Sequence, residues 1–406
     1  MSKQELAISS DIALYNQLKY DGIVSRLNSY VPAQPESGYG PNQLITFQLP
    51  MESLDLRNHS FQFTVTASAP GSTYACFNSD IRSVIRRITV AFGSKVVLDI
   101  QEQNLLFNML NYLNDPQWYD YNGKITNATG DQPSREALFT NPNYVYAVQL
   151  YNLKSELLAQ VLPLQKLSLQ MYINIYLAPA SECILTDSPN PTYTLNNCQF
   201  HYSSLVMSNS WESLWNSKIP DGIAFNYTNF ENTFDTSILP SGITRASKTL
   251  NFRYTSLNGI IFVMRPSANV SSLTAVDKLN RFDFNSLNVC QVRIGSFTQP
   301  SDNTANLSDR LTMVYEQFGI TSKAPIKLAS NFGSTSFVGC VNFSRHPYSS
   351  QTNNASINGI NTSISSALIL DLGFSTPLPA AYTLEVFAMS ECSVIFTPNG
   401  SVVWEV

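Results

Sequence analysis

At 406 residues the chain has room for two or three domains of about 150 residues each. Charged residues make up 13% and aromatic residues 12%, which excludes a disordered chain, rich in charge and poor in aromatics, and disfavours a long coiled coil, rich in Glu, Lys and Ala. The net charge, 24 − 29 = −5, leaves no basic excess to hold nucleic acid, and an uncharged-polar, aromatic, Pro-containing chain fits an all-β protein with many loops.

Residues 1–42 read as an N-terminal arm. Leu14, Leu18, Ile23 and Leu27 have helical spacing. The stretch Pro32 to Pro41 holds too much Pro and Gly for regular structure. The first 30 residues carry Lys3, Lys19 and Arg26 against Glu5, Asp11 and Asp21; with Glu36 the arm sums to 3 − 4 = −1. Such an arm suits docking on a protein surface, not condensing a genome.

Two-residue alternation starts after the arm. Ile45, Phe47 and Leu49 alternate with polar residues, as do Phe61, Phe63 and Val65. Ile88, Val90 and Phe92 predict another strand, and Val96–Ile100 follows the Gly93-Ser94 turn. Glu102–Leu113 predicts a helix. The clearest strand is Leu167–Leu177, with Met171, Ile173 and Ile175 on one face and Tyr172 and Asn174 on the other. Ser208–Ser217 predicts a short helix inside a linker spanning 208–242.

The second half repeats the programme. Thr249–Tyr254, Ile260–Met264, Val289–Phe297, Phe337–Phe343, Leu368–Phe374, Tyr382–Met389 and Cys392–Phe396 predict strands. Val402–Val406 adds a possible edge, and Leu307–Phe318 predicts a helix. Matching Ile88 to Val292 gives an offset of 292 − 88 = 204, and matching Leu169 to Leu384 gives 384 − 169 = 215. Offsets near half the chain predict two copies of one β domain.

Catalytic signatures are sparse. His59, His201 and His346 stand in no metal-binding spacing. There is no P-loop, GxGxxG or GxSxG. Glu52/Asp55 and Glu231/Asp235 resemble carboxylate pairs, which 29 acidic residues produce freely. Cys76, Cys183, Cys198, Cys290, Cys340 and Cys392 are scattered and read as buried thiols. The sequence thus predicts no catalytic, cofactor-binding or metal site and no cofactor. No apolar run reaches the ~18 residues of a membrane span, and the first residues lack an apolar signal core. The Asn-x-Ser/Thr sites, as at Asn127, Asn226 and Asn361, then reflect composition.

The layout resembles a known family. Ile45-Thr-Phe-Gln-Leu-Pro follows the arm, then Asp55–Val65, Ile81–Ile100 and Leu162–Ala178. In the second half come Val341-Asn-Phe-Ser, Ser356-Ile-Asn-Gly-Ile-Asn, Leu368–Leu372 and Thr383–Ala388. Over residues 43–406 this is similar to the double jelly-roll major capsid proteins of adenovirus, tailless-phage and Polinton-like viruses. The resemblance implies two tandem eight-stranded jelly rolls with a few short helices, at 43–207 and 243–406. It also implies a non-enzymatic role in a virion capsid assembled inside the host cell. The partners implied are two further copies in a pseudo-hexagonal homotrimer, neighbouring capsomers in an icosahedral shell, penton and minor capsid proteins, and an inner membrane under the shell.

Two alternatives stand beside it. A carbohydrate-binding or carbohydrate-cleaving β-sandwich would use exposed aromatics such as Trp118, Tyr119 and Tyr121. A small RNA-virus shell protein would carry a basic arm, and this arm is not basic.

Overall fold

The structure is a computed structural model. It describes residues 23–79, 81–111, 132–153, 156–166, 169–218, 223–232, 237–270, 272–274, 278–300, 307–318, 332–343, 359–363, 367–396 and 402–405.

The first half is built on eight strands: β1 (Ile23–Pro32), β2 (Leu44–Gln48), β3 (Ser53–Ser68), β4 (Ile85–Phe92), β5 (Lys95–Gln101), β6 (Val145–Val148), β7 (Met171–Leu177) and β8 (Thr192–Met207). They form two antiparallel sheets, ordered β1-β8-β3-β6 and β2-β7-β4-β5. Eight strands of the second half answer them: β9 (Ile223–Asn232), β10 (Arg245–Leu250), β11 (Leu257–Pro266), β12 (Leu287–Ile294), β13 (Phe297–Gln299), β14 (Gly339–Asn342), β15 (Leu368–Phe374) and β16 (Tyr382–Phe396); the short strands Ala75–Phe77, Val161–Pro163 and Ile184–Thr186 in the first half and Ser237–Leu239 and Val402–Glu405 in the second lie outside this shared set. Their sheets are ordered β9-β16-β11-β14 and β10-β15-β12-β13. Adding eight to each strand number of the first half reproduces the second. Each half is therefore a jelly roll, and the fold is all-β with two of them in tandem.

Local chemistry explains the repeat. β7 alternates as expected: Met171, Ile173, Ile175 and Leu177 are buried, while Tyr172, Asn174 and Tyr176 are half-buried. Ile173 and Ile175 pair with Phe47 and Ile45 on one side and Val90 and Ile88 on the other, so one face of the sheet is continuous core. In the second half Leu368, Leu370 and Leu372 of β15 are buried in the same alternation. The β4–β5 and β12–β13 hairpins turn on Gly93-Ser94 and Gly295-Ser296, with φ of 59° and 60° at the glycines. A two-residue hairpin needs a left-handed first position, which glycine adopts without a Cβ clash.

Each such hairpin leads to a helix, α1 (Gln103–Asn111) in the first half and, later, Leu307–Phe318 in the second. The helix at 102–113 thus begins one residue later than its expected start, because Glu102 itself has φ of 50°. Two further helices of two turns or more lie between, α2 (Gln132–Phe139) and α3 (Asn209–Lys218), with single turns at Ala180–Cys183 and Ser267–Val270. The second-half helix, α4, has the expected bounds.

Several sequence expectations differ from the structure. Val289–Phe297, expected as one strand, is broken at Gly295-Ser296 into β12 and β13, and Tyr382–Met389 and Cys392–Phe396, expected as two, are one strand, β16. The helical spacing around Ile23 and Leu27 belongs to a strand, β1, paired with β8 from Ile23↔Met207 to Pro32↔Gln199. Ladder hydrogen bonds along its length override a weak helical period. The segment read as linker, 208–242, contains β9, bonded to β16 from Ile223↔Phe396 to Asn232↔Phe387. β1 and β9 are the first strands of their jelly rolls, and both lie ahead of the expected starts at 43 and 243. The equivalence of Leu169 with Leu384 joins non-equivalent places: Leu169 precedes β7, and Leu384 lies in β16, the counterpart of β8. Ile88 and Val292 do lie in counterpart strands, β4 and β12.

Candidate functional site

The most elaborate chemistry lies where the two halves meet. β9 of the second half lies against β5 of the first. The Tyr227 hydroxyl donates to the Val97 carbonyl, and Gln160 Nε2 donates to the Asn226 carbonyl at 2.8 Å. Phe225, Tyr227, Thr228, Asn229, Phe230 and Asn232 are all buried, so β9 is covered on both faces.

A second tie is Lys278. Its ammonium is 1% exposed as a residue and donates to Ser181 O at 2.7 Å and Ile184 O at 2.6 Å, both in the first half. Ser272 O lies at 3.4 Å. Burial pulls its pKa down to about 8, with the surrounding thiols and Glu182 opposing. The Thr186 N–H donates to Leu273 O at 2.9 Å beside it. Arg265 caps the arrangement: its guanidinium donates to Lys278 O at 3.1 Å and to Glu385 Oε1 at 2.6 Å, with Arg265 and Glu385 both buried. A buried ammonium survives only with such a full set of acceptors.

Arg86, at the start of β4, holds Glu102 Oε1 at 3.1 Å and Glu182 Oε2 at 3.8 Å. Asn104 Nδ2 donates to the same Glu182 at 2.7 Å. Burial, then the Glu182 carboxylate, lifts Glu102 to about 7. This cluster welds the single turn Ala180–Cys183 to the base of α1.

The candidate residues from the sequence separate. Glu52 accepts the Ser204 hydroxyl at 2.6 Å. Asp55 is 1% exposed and is gripped by Arg57 through two bonds, at 2.8 and 2.6 Å, and approached by Arg26 at 3.4 Å. Those guanidinium groups outweigh burial and hold its carboxyl below the usual range. Asp55 is thus spent on a structural ion pair and is no partner for Glu52. Glu231 accepts the Tyr254 hydroxyl; Asp235 lies outside the described residues.

His59 is buried in β3. Its Nδ1 bonds Leu56 O at 2.7 Å, and its Nε2 accepts the Leu150 N–H at 2.9 Å. Burial holds it neutral, with a pKa of about 4. His201 stacks on Tyr30, with ring centroids 5.3 Å apart. His346, Trp118, Tyr119 and Tyr121 lie outside the described residues. All six cysteines are buried and none forms a disulfide, and no group of metal-ligating side chains occurs among the described residues. Nor is any helix there long and apolar enough to cross a membrane. Sequence reasoning missed Lys278, Arg86 and Arg265, because nothing in the chain between them marks them as neighbours.

No protein-family model and no curated protein matches the sequence. Solved structures do. The 3.5 Å cryo-EM structure of the Sputnik virophage superposes with a TM-score of 0.62 at 11% identity, over 95% of this chain and 89% of that one. Vp54 of PBCV-1, fitted into a Sputnik reconstruction, gives 0.60 at 12% over 94% and 97%. The Faustovirus major capsid protein gives 0.59 at 7% over 91% and 90%. At such identities the likeness is one of fold, and it extends over both jelly rolls of this chain.

Proposed function

We propose that the chain is a major capsid protein, a structural subunit of an icosahedral virus shell without catalytic activity. The observation that carries this reading is the repetition of one eight-strand sheet order in two halves, locked side by side through Lys278 and β9. Two like lobes per chain make a threefold assembly a ring of six, an outline that packs on a hexagonal lattice with few gaps. The neighbours in fold, from the Sputnik virophage, PBCV-1 and Faustovirus, are capsid components and support it. The finer expectations, a pseudo-hexagonal homotrimer contacting minor proteins or an inner membrane, belong to the same reading. So do jelly-roll starts at 23 and 223 in place of 43 and 243.

The test is mass by light scattering together with negative-stain images of the purified protein. The expected result is a particle of about three times the 45.2 kDa chain mass with a hexagonal outline. A stable monomer at micromolar concentration contradicts the trimer, and sugar-dependent retention on a glycan array would favour the carbohydrate-binding alternative.

A further inference from the structure

The two jelly rolls of one chain meet through a particular pair of strands. β9, the first strand of the second half, lies against β5, the fifth strand of the first, and Tyr227 donates there to Val97 O. The chain holds the same two kinds of strand once more. β1 is the counterpart of β9, β13 is the counterpart of β5, and each stands at a sheet edge. No strand pairing joins β1 to β13 among the described residues.

The strand registers fix which residues correspond. β9 runs along β16 as far as Asn232↔Phe387, and β1 runs along β8 as far as Pro32↔Gln199. Both strands have ten residues, so Leu27 stands in β1 where Tyr227 stands in β9. The two Gly-Ser hairpins match at their closing pairs, Phe92↔Lys95 and Ile294↔Phe297. Phe297 therefore stands where Lys95 stands, and Gln299, counted from the turn, where Val97 stands. Burial separates the two sets. Tyr227 and Val97 are fully buried, whereas Leu27 is 58% exposed, Phe297 50%, and Gln299 half-buried. Single exposed apolar residues are ordinary. These two are singled out by their place, at the two sides of a contact that the chain already makes once.

We infer that a second copy of the chain completes this contact: β1 of one copy lies against β13 of the next, with Leu27 over Phe297 and Gln299. The inference rests on the trimer proposed above and names the surfaces that build it. The contact is head-to-tail, because each copy offers β1 to one neighbour and β13 to the other, and contacts of that kind end only where a ring closes. Contacts within a chain and between chains then alternate around the ring and share one geometry. Tyr30, three residues from Leu27, lies on the opposite face of β1 and takes no part.

The test is a crosslink between copies. The full chain carrying Leu27→Cys with Phe297→Cys is oxidised with copper phenanthroline and run on a denaturing gel without reductant. Covalent dimers and trimers are expected from the double variant and none from either single variant, since the native cysteines are buried. A bond within one chain would leave the mass of a single chain. Independently, Leu27→Asp should lower the mass seen by light scattering about threefold and leave the circular dichroism spectrum unchanged, because Leu27 is exposed on its own chain. A trimer that yields no covalent dimer, or that Leu27→Asp leaves intact, overturns the inference and leaves the capsid reading standing. Dimers from Leu27→Cys alone would mean that β1 meets β1 in a twofold contact, which also overturns it. An unaltered protein that is monomeric overturns the inference together with the trimer.

Discussion

Strands β1 and β9 hold the same place in their jelly rolls, each at a sheet edge beside the last strand of its half. β1 leaves most of its residues exposed on both faces. β9 buries Phe225, Tyr227 and Phe230 together with Thr228 and Asn229. The difference comes from the tandem arrangement. β9 has the first jelly roll against its outer face, reaching Val97 through Tyr227, and no strand among the described residues of the chain pairs with the outer edge of β1. The same contrast runs through the third strands. β3 alternates between buried and half-buried from His59 to Phe63, whereas β11 is buried from Leu257 to Arg265. There α4 packs against it, with Gln317 close over Gly259. Duplication supplied two like sheets, and packing buried β9 and β11 more completely than β1 and β3.

The largest expected effect tests what the halves share. Ile173→Asp in β7 and Leu370→Asp in β15 each bury an unpaired charge costing several kcal/mol. Both should remove soluble folded protein, measured as the soluble fraction on expression. If only one does, the two cores are not equivalent.

Next comes the contrast between the first strands. Tyr227→Ala should cost about 3–5 kcal/mol, the range for emptying a buried aromatic site. Tyr30→Ala, at an exposed position, should stay within about 0.5 kcal/mol. Urea denaturation of both variants measures this. Similar losses would mean that the Tyr30 face of β1 is covered in solution.

The halves should also part with pH. His59 is neutral in the fold, with a pKa of about 4 against 6.5 for the free side chain. Between those values the unfolded chain binds the extra proton, so stability is intact above 6.5 and falls as pH drops toward 4. The loss is about 3 kcal/mol. Glu156 is the reverse case. Burial raises it to about 8 even though it accepts the Asn152 and Leu153 N–H groups at 2.8 Å. Its contribution is complete below 4.5 and declines as pH rises through 8. Both groups lie in the first jelly roll. The two oppose each other as pH falls from 7 to 4.5, so the His59 effect is read with Glu156→Gln in place: there hydrogen exchange should show β3 losing protection before β11 at pH 4.5, and adding His59→Gln should narrow that gap. Equal protection of the two strands at pH 4.5 would refute the assignment.

The smallest effect is at Asn174. Its amide bridges Thr46 at 2.9 Å and Thr89 at 3.2 Å across three strands. Asn174→Asp removes the donor to Thr89 and should cost about 1 kcal/mol by thermal melting. A loss as large as that of Ile173→Asp would mean that the two faces of β7 were misassigned.

The alternation of β7 and β15, the Gly93-Ser94 hairpin and the helices α1 and α4 were legible in the chain, whereas the Gly295-Ser296 turn was not, since apolar residues on both sides of it read as one strand. Each is set within a few residues, by side-chain period or by a φ that only glycine adopts freely. From them the all-β class and the duplication follow. β1 and β9 were not legible. An edge strand that its own chain leaves exposed on both faces, and one buried on both faces, lose the two-residue alternation for opposite reasons.

Burial of the junction groups was equally silent. The sequence by itself determined which segments could be strands and that there were two sets of them, because those choices rest on local geometry and on which face of a strand is apolar. Tertiary structure alone decided that Lys278 would meet Ser181 and Ile184, that Arg86 would gather Glu102 and Glu182, and that Arg26 and Arg57 would converge on Asp55. Those contacts join residues far apart in the chain or on different sheets. Their energies depend on burial and on distances that no local pattern carries.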